Sequence, residues 1–230
     1  MTMNSKYVEC GIELSGTQSD MLDKLADYMV QYNRNVNLTR ITEPDEIVEK
    51  HYIDSILPLT MVDVPRGTKV IDVGAGAGFP SLPMKIYRPD LEFTLLDSSN
   101  KRIAYLESAC ELLGLKCETI HARGEDLGRD EKYREKFGIA VARAVAGLNV
   151  LCEYCLPFVA VGGSFLALKG EKEETEEAQN AVKTLGGEIT EVKKYSLPGG
   201  DKRNLVVIKK VSPTPKQYPR VSAKIAKKPL

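Results

Sequence analysis

Apolar positions divide the chain into two parts of different period. Between residues 17 and 34, Met21, Leu22, Leu25, Ala26, Met29 and Val30 recur at helical intervals, and Thr17 and Asp20 stand at capping separation. This predicts an amphipathic helix. A second helix is predicted to start near Thr42-Glu43-Pro44, because proline is tolerated in a first turn, and it carries Ile47, Val48, Tyr52 and Ile56. From Lys69 the pattern changes to short apolar runs at 69–73, 91–96, 117–121, 138–142 and 163–168. Helix-like stretches lie between or after them at 80–87, 99–113, 147–160 and 172–185. Such alternation predicts an α/β fold with a parallel sheet covered on both faces. Two further runs, 188–197 and 204–210, flank Pro198-Gly199-Gly200-Asp201 and predict an antiparallel hairpin at the sheet edge. The expected organisation is a helical extension over 1–66 packed on the core, an α/β domain over 67–211 and an arm over 212–230. Pro213–Pro219 reads as linker or arm, outside the core.

With 230 residues, 43% hydrophobic and 28% charged, the chain can bury a core of its own. The longest uncharged apolar stretch, Tyr154–Leu168, is 15 residues and contains Pro157 and Gly162-Gly163. A bilayer-spanning helix needs about 20 apolar residues, so no membrane association is expected. The N-terminal sequence lacks the apolar segment of a secretion signal, and five cysteines at irregular spacing make no disulfide framework. A cytoplasmic protein is expected. Thirty-two basic residues balance 32 acidic ones, yet residues 209–230 hold seven Lys/Arg and no acid. A basic arm on an acidic body points to an anionic partner.

The most informative segment runs from Val70 to Pro80. An apolar strand ending Asp72-Val73 leads into Gly74, Gly76 and Gly78, then Phe79 and Pro80. Glycines permit a sharp turn and close approach of a ligand, and the following helix start favours an anionic group. A dinucleotide site wants a small residue where Phe79 stands, which disfavours a nicotinamide oxidoreductase. The pattern D-x-G-x-G-x-G instead resembles motif I of class I methyltransferases that use S-adenosylmethionine. Asp97, about 20 residues on at the end of the next strand, can accept hydrogen bonds from both ribose hydroxyls or cap the following helix. Ligands of such sheets sit outside the carboxyl ends of the strands, where Arg123-Gly124-Glu125-Asp126 and Ala142-Arg143-Ala144-Val145-Ala146 also fall. Methyltransferases usually hold adenine at the first of these. A buried Arg143 needs an anionic partner, which a cofactor carboxylate, a substrate phosphate or a structural ion pair would supply.

No cysteine follows proline as a cytosine-alkylating nucleophile would. Cys152 and Cys155 have metal-like spacing but no second pair, and only His51 and His121 could join them, so no metal is expected. An acceptor with a free lone pair, such as guanine N7, needs positioning rather than a general base.

Together these segments resemble the bacterial small-subunit ribosomal RNA guanine-N7 methyltransferases, also called the glucose-inhibited division protein B family. The resemblance rests on residues 32–41 (YNRNVNLTRI), His51-Tyr52-Ile53-Asp54-Ser55, the loop from Asp72 to Pro83, Lys101-Arg102, Arg123-Gly124-Glu125, residues 142–146, Ala167–Gly170 and Arg203–Ile208. It implies a class I fold: a Rossmann-like, seven-stranded mixed sheet with an antiparallel C-terminal hairpin. It also implies methyl transfer from S-adenosylmethionine to N7 of one guanine in 16S rRNA near the decoding site, with 16S rRNA or the small ribosomal subunit as partner. Gly74, Phe79, Gly124, Glu125 and Arg143 would contact the cofactor beside Gly76, Gly78 and Asp97, with Arg143 as the candidate catalytic residue. Asn37, His51, Arg123, Lys169, Arg203 and Arg220 are candidates for the RNA side. Residues 221–226 depart from a more usual Gly-Thr-Pro-containing stretch. A monomer is expected, and the rival functions are a small-molecule methyltransferase and a non-catalytic RNA-binding protein.

Overall fold

Ser15 opens the first long helix, and it does so with a reciprocal capping box: its hydroxyl accepts from the Gln18 backbone while Gln18 Oε1 accepts from the Ser15 backbone. The cap therefore lies two residues before the expected Thr17–Asp20 pair, because Ser-x-x-Gln satisfies two orphan donors at once. Gln18 also donates to the carbonyls of Ile86 and Tyr87, tying this helix to the end of another.

The computed structural model describes residues 3–143 and 146–230. Helices α1 (Met3–Glu9), α2 (Gly16–Asn33) and α3 (Pro44–Glu46) lead into a π-helical segment, Ile47–Ile53, and then α4 (Asp54–Met61). There follow β1 (Lys69–Val73), α5 (Ser81–Tyr87), β2 (Glu92–Asp97), α6 (Asn100–Leu113), β3 (Cys117–His121), α7 (Gly124–Leu127) and β4 (Phe137–Arg143). The chain continues through α8 (Leu148–Cys155), a 3-10 turn at Leu156–Phe158, β5 (Val159–Lys169), α9 (Thr175–Thr184), β6 (Gly187–Ser196), β7 (Lys202–Lys210) and α10 (Ser222–Lys227). Ala144 and Val145, part of the fourth-strand segment singled out in the sequence, lie outside the described residues.

The seven strands form one sheet in the order β3-β2-β1-β4-β5-β7-β6, parallel except where β7 joins β5 and β6. Alternation along each strand feeds two cores. In β4, Ile139 and Val141 face the side covered by the N-terminal helices, while Ala140 and Ala142 face α8 and α9. Leu22, Leu25 and Met29 of α2 and Ile47, Tyr52 and Ile56 of the next helical segments belong to the same apolar cluster as Val70, Phe93 and Leu95. The extension is thus one face of the core.

Two expectations change. Residues 159–160, expected to end a helix, begin β5 after the 3-10 turn around Pro157, and β5 pairs with β4 through a register shift. The stretch 213–219 is not a free linker. Thr214 is buried, its amide donates to Glu135 and its hydroxyl to the Leu185 carbonyl, and Arg134 donates to the carbonyls of Thr214 and Tyr218.

Candidate functional site

The strand ends that the topology gathers enclose a cavity of about 580 Å³, within the range of about 300–1,000 Å³ typical of small-molecule sites. Its walls include residues 73–77 and Phe79 after β1, residues 96–98 at the end of β2, residues 122–125 after β3, and Arg143 at the end of β4. Leu38, Thr39 and His51 close one side; Leu151, Tyr154 and Ser222 line another.

The glycine loop holds its shape through positive φ at Gly74 (81°), Gly76 (59°) and Gly78 (85°). The amides of Gly74 and Ala75 both donate to the Leu96 carbonyl, binding the loop to the end of β2. A Cβ at Gly76 would meet only the Gly74 carbonyl oxygen, 3.8 Å away, so the loop surface there is open. Gly78 packs inward, where a Cβ would stand 2.7 Å from Leu82 Cγ.

Asp97 is buried under this loop. Its Oδ2 accepts from the Gly76 amide at 2.9 Å and its Oδ1 from the Ser99 amide at 2.8 Å, with the Arg102 guanidinium at 3.6 Å. A carboxylate offers about four acceptor positions, so both oxygens keep capacity for a diol. Glu125, 6% exposed, lines the cavity from the first turn of α7, next to Gly124. The buried Asp97 and Glu125 carboxylates and the open glycine cradle fit S-adenosylmethionine, which carries a diol, an amine and a sulfonium.

At the other end, Phe79 and His51 stack with centroids 4.0 Å apart and planes 12° from parallel, and the Arg143 guanidinium carbon lies 5.4 Å from the Phe79 centroid. Arg143 Nη1 donates to the Lys50 carbonyl at 2.9 Å and lies 3.5 Å from Asp54 Oδ2; Nη2 meets His51 Nδ1 at 3.2 Å. Guanidinium only donates, so Nδ1 accepts and the ring proton sits on Nε2, where it reaches Thr39 Oγ1 at 3.1 Å. Burial, and then the adjacent Arg143 charge, push the His51 pKa down to about 3. The imidazole is neutral, with its lone pair engaged.

Asp54 was absent from the sequence-derived set, and it is the anionic partner that Arg143 requires. The same carboxylate accepts from Arg203 Nε at 3.1 Å and from the Tyr195 hydroxyl at 3.4 Å. Asp72, also missed, is fully buried, and neither of its oxygens nor the buried Ser81 hydroxyl has a hydrogen-bond partner among the described residues. Burial pushes its carboxyl up to about 7, against the opposing charge of Arg143. A charge inside the run Val70–Val73 was the available signal, since that strand must be buried on both faces.

The residues expected on the RNA side divide. Asn37 and Arg123 are exposed, and Arg123 lines the cavity. His51 lies inside it. Lys169 is held by the Ala146 carbonyl and Glu174, Arg203 by Asp54 and Asp201, and Arg220 by the fully buried Glu153. Cys152 and Cys155 are buried on α8 within the core, and His121 Nε2 lies 3.0 Å from the Ser98 carbonyl.

The family model for rRNA small subunit methyltransferase G matches residues 18–206. A protein named ribosomal RNA small subunit methyltransferase G from Moorella thermoacetica is 47% identical, over 96% of this chain and 94% of its own length. One of the same name from Thermoanaerobacter sp. is 48% identical over the same shares. Among solved structures, a SAM-dependent O-methyltransferase from Thermotoga maritima aligns with TM-score 0.52 and 15% identity, covering 81% of this chain and 72% of that one. A precorrin-6y C5,15-methyltransferase from Geobacter metallireducens aligns with TM-score 0.53 and 11% identity, covering 68% and 87%. At these identities the structures show a shared class I fold alone.

Proposed function

This chain belongs to the rRNA small subunit methyltransferase G family, and from that premise we propose that it transfers a methyl group from S-adenosylmethionine to N7 of a guanine in 16S rRNA near the decoding site. S-adenosylmethionine, when bound, supplies an electrophilic methyl sulfonium. Gly74, Gly76 and Asp97 would hold its ribose and amino-acid portions, and Gly124 and Glu125 its adenine end. Phe79 and Arg143 would lie toward the transferring methyl group.

The locked tautomer of His51 supports this acceptor most directly. A guanine N7 lone pair carries no proton, so attack requires no base, and the one imidazole in the cavity is in no state to serve as one. Alignment then provides the acceleration, on the order of 7–11 kcal/mol for well-placed reactants. Arg143, fixed by His51, Lys50 and Asp54, is the rigid element for that alignment. The division of labour follows: residues 67–211 carry the cofactor, while 1–66 and 212–230 complete the cavity through Thr39, His51 and Ser222.

The test is incubation with labelled S-adenosylmethionine and undermodified small ribosomal subunits, followed by nucleoside analysis. N7-methylguanosine from 16S rRNA, lost with Arg143→Ala, is expected. Cofactor binding without any RNA product would overturn the acceptor assignment.

A further inference from the structure

We propose that the substrate RNA docks on a ring of cations at the cavity mouth, contributed by four separate segments: Arg40, Lys101, Arg123 and the Lys224/Lys227 pair. This rests on the RNA-methyltransferase reading above and assigns the surface that reading leaves open. Each segment reaches the cavity itself. Thr39, Arg102, Arg123 and Ser222 line it, and Arg40, Lys101, Lys224 and Lys227 are the exposed cations next to, or on the same short helix as, those lining residues.

Ion pairing separates these cations from five basic residues of strands β5–β7 and the arm. Lys169, Lys194, Lys202, Arg203 and Arg220 each have a carboxylate partner at 2.6–3.1 Å. A phosphate arriving there would compete with a carboxylate already in place. Among the described residues Arg40, Lys101, Arg123, Lys224 and Lys227 form no ion pair, so a phosphate meets an uncompensated charge. The protein is neutral overall, which makes the placement of unpaired charge, rather than its total, the quantity that selects a docking face.

The arm brings its lysines to this place by design of its contacts. Arg220 Nη2 and Nε grip both oxygens of Glu153 on α8, and the Arg220 amide donates to Glu153 as well. Ile225, fully buried, seats α10 against the body, leaving Lys224 and Lys227 exposed. Arg220 is therefore the latch that sets α10 at the mouth, and the lysines beyond it are the contact.

An unpaired strand is the form of RNA that fits. N7 in an A-form duplex lies in a deep, narrow groove that side chains do not enter, and a reacting base leaves the stack to enter a pocket. A guanine inserted in this cavity leaves its flanking phosphates at the rim. Five rim contacts to single-stranded phosphates would give a log–log salt slope of up to about −3.5, at about 0.7 per phosphate.

The experiment measures binding of a fluorescent, guanine-containing single-stranded RNA from 50 to 300 mM salt, together with methylation of undermodified small subunits. The full chain is compared with Lys224→Gln/Lys227→Gln, with Arg40→Gln/Lys101→Gln, and with Lys116→Gln/Lys136→Gln. The last pair consists of exposed, unpaired lysines beside the opposite ends of the strands. Each rim pair should make the slope shallower by about 1.4 and raise KM for the subunit with kcat within twofold, while the opposite-edge pair leaves both unchanged. Rim variants that keep the parent slope, or a loss confined to the opposite-edge pair, would overturn the rim. A parent that binds cofactor but methylates no RNA overturns the reading beneath it, which is a separate and recognisable result.

Discussion

Arg143 Nη2 and His51 Nδ1 are 3.2 Å apart, and because the arginine can only donate, the contact fixes which imidazole nitrogen carries the proton. His51 can orient its neighbours but has no lone pair left for an incoming proton. The pH profile of kcat should therefore keep its shape in His51→Gln, even though the stack on Phe79 is lost and the rate falls. Rate profiles from pH 5.5 to 8.5 test this. Disappearance of a limb in the variant would make His51 the titrating base and contradict the tautomer.

Asp97 spends one acceptor position of each oxygen on a backbone amide. In Asp97→Asn the side-chain amide NH2 must face either the Gly76 or the Ser99 backbone amide, donor against donor, and the charge that strengthens both bonds is gone. Hydrogen bonds to charged groups contribute about 1.5–3 kcal/mol, so the Kd for S-adenosylmethionine should rise about 10–100-fold. Isothermal titration calorimetry measures it, and an unchanged Kd would remove Asp97 from the cofactor site.

Much of this architecture is legible in the residues because short apolar runs between glycines, prolines and charges leave few alternatives. Lys69–Val73 and Cys117–His121 match the expected strands residue for residue. The failures have physical causes. From Leu148 to Val161 apolar residues follow one another so closely that no period marks where α8 ends and β5 begins. The segment 47–53 shows a helical pattern but not its π-helical winding, which the spacing of its apolar residues does not reveal. At the site, the cofactor edge follows from strand ends and glycines, whose positions are local. Pairings such as Asp54 with Arg203, 149 residues apart, or Glu153 with Arg220, 67 apart, are decided by topology. A basic residue in the sequence is equally basic whether or not an acid waits opposite, and so Lys169, Arg203 and Arg220 read as free cations.

Gly78 and Gly76 share positive φ but differ in surroundings. Alanine at either position strains the backbone, yet at 78 the added methyl would also meet Leu82 Cγ at 2.7 Å and Leu106 Cδ2 at 3.2 Å. Overpacking typically costs about 1–3 kcal/mol beyond the strain. Gly78→Ala should lower the urea midpoint clearly more than Gly76→Ala, whose loss should fall chiefly on cofactor affinity. Equal midpoints would mean that α5 yields without cost.

The Arg220 latch closes on a carboxylate with no exposure at all. Breaking a buried pair by removing one partner typically costs about 3–5 kcal/mol, whereas replacing both by apolar groups can be neutral. Arg220→Leu should therefore be strongly destabilised, and Arg220→Leu/Glu153→Leu should recover most of the loss while α10 becomes protease-sensitive. A double variant no more stable than the single one would show that the arm itself, rather than the orphaned Glu153, accounts for the effect.

Asp72 and His51 make opposite contributions to stability as pH falls. His51 titrates near 6.5 when unfolded but only near 3 in the fold, so between those values the unfolded chain binds the extra proton and acid destabilises the protein. Asp72 titrates near 3.8 when unfolded and near 7 in the fold, so over almost the same window the folded chain binds the extra proton and acid stabilises it. Between about pH 6.5 and 4.5 the two cancel, at about 1.4 kcal/mol per pH unit each. Urea unfolding at half-unit steps should give a nearly level curve for the parent, a falling one with acid for Asp72→Asn, and a rising one for His51→Gln. An Asp72→Asn curve parallel to the parent would mean that this buried carboxyl is already paired in solution, and with it would go the claim that β1 carries an orphaned acid beneath the glycine loop.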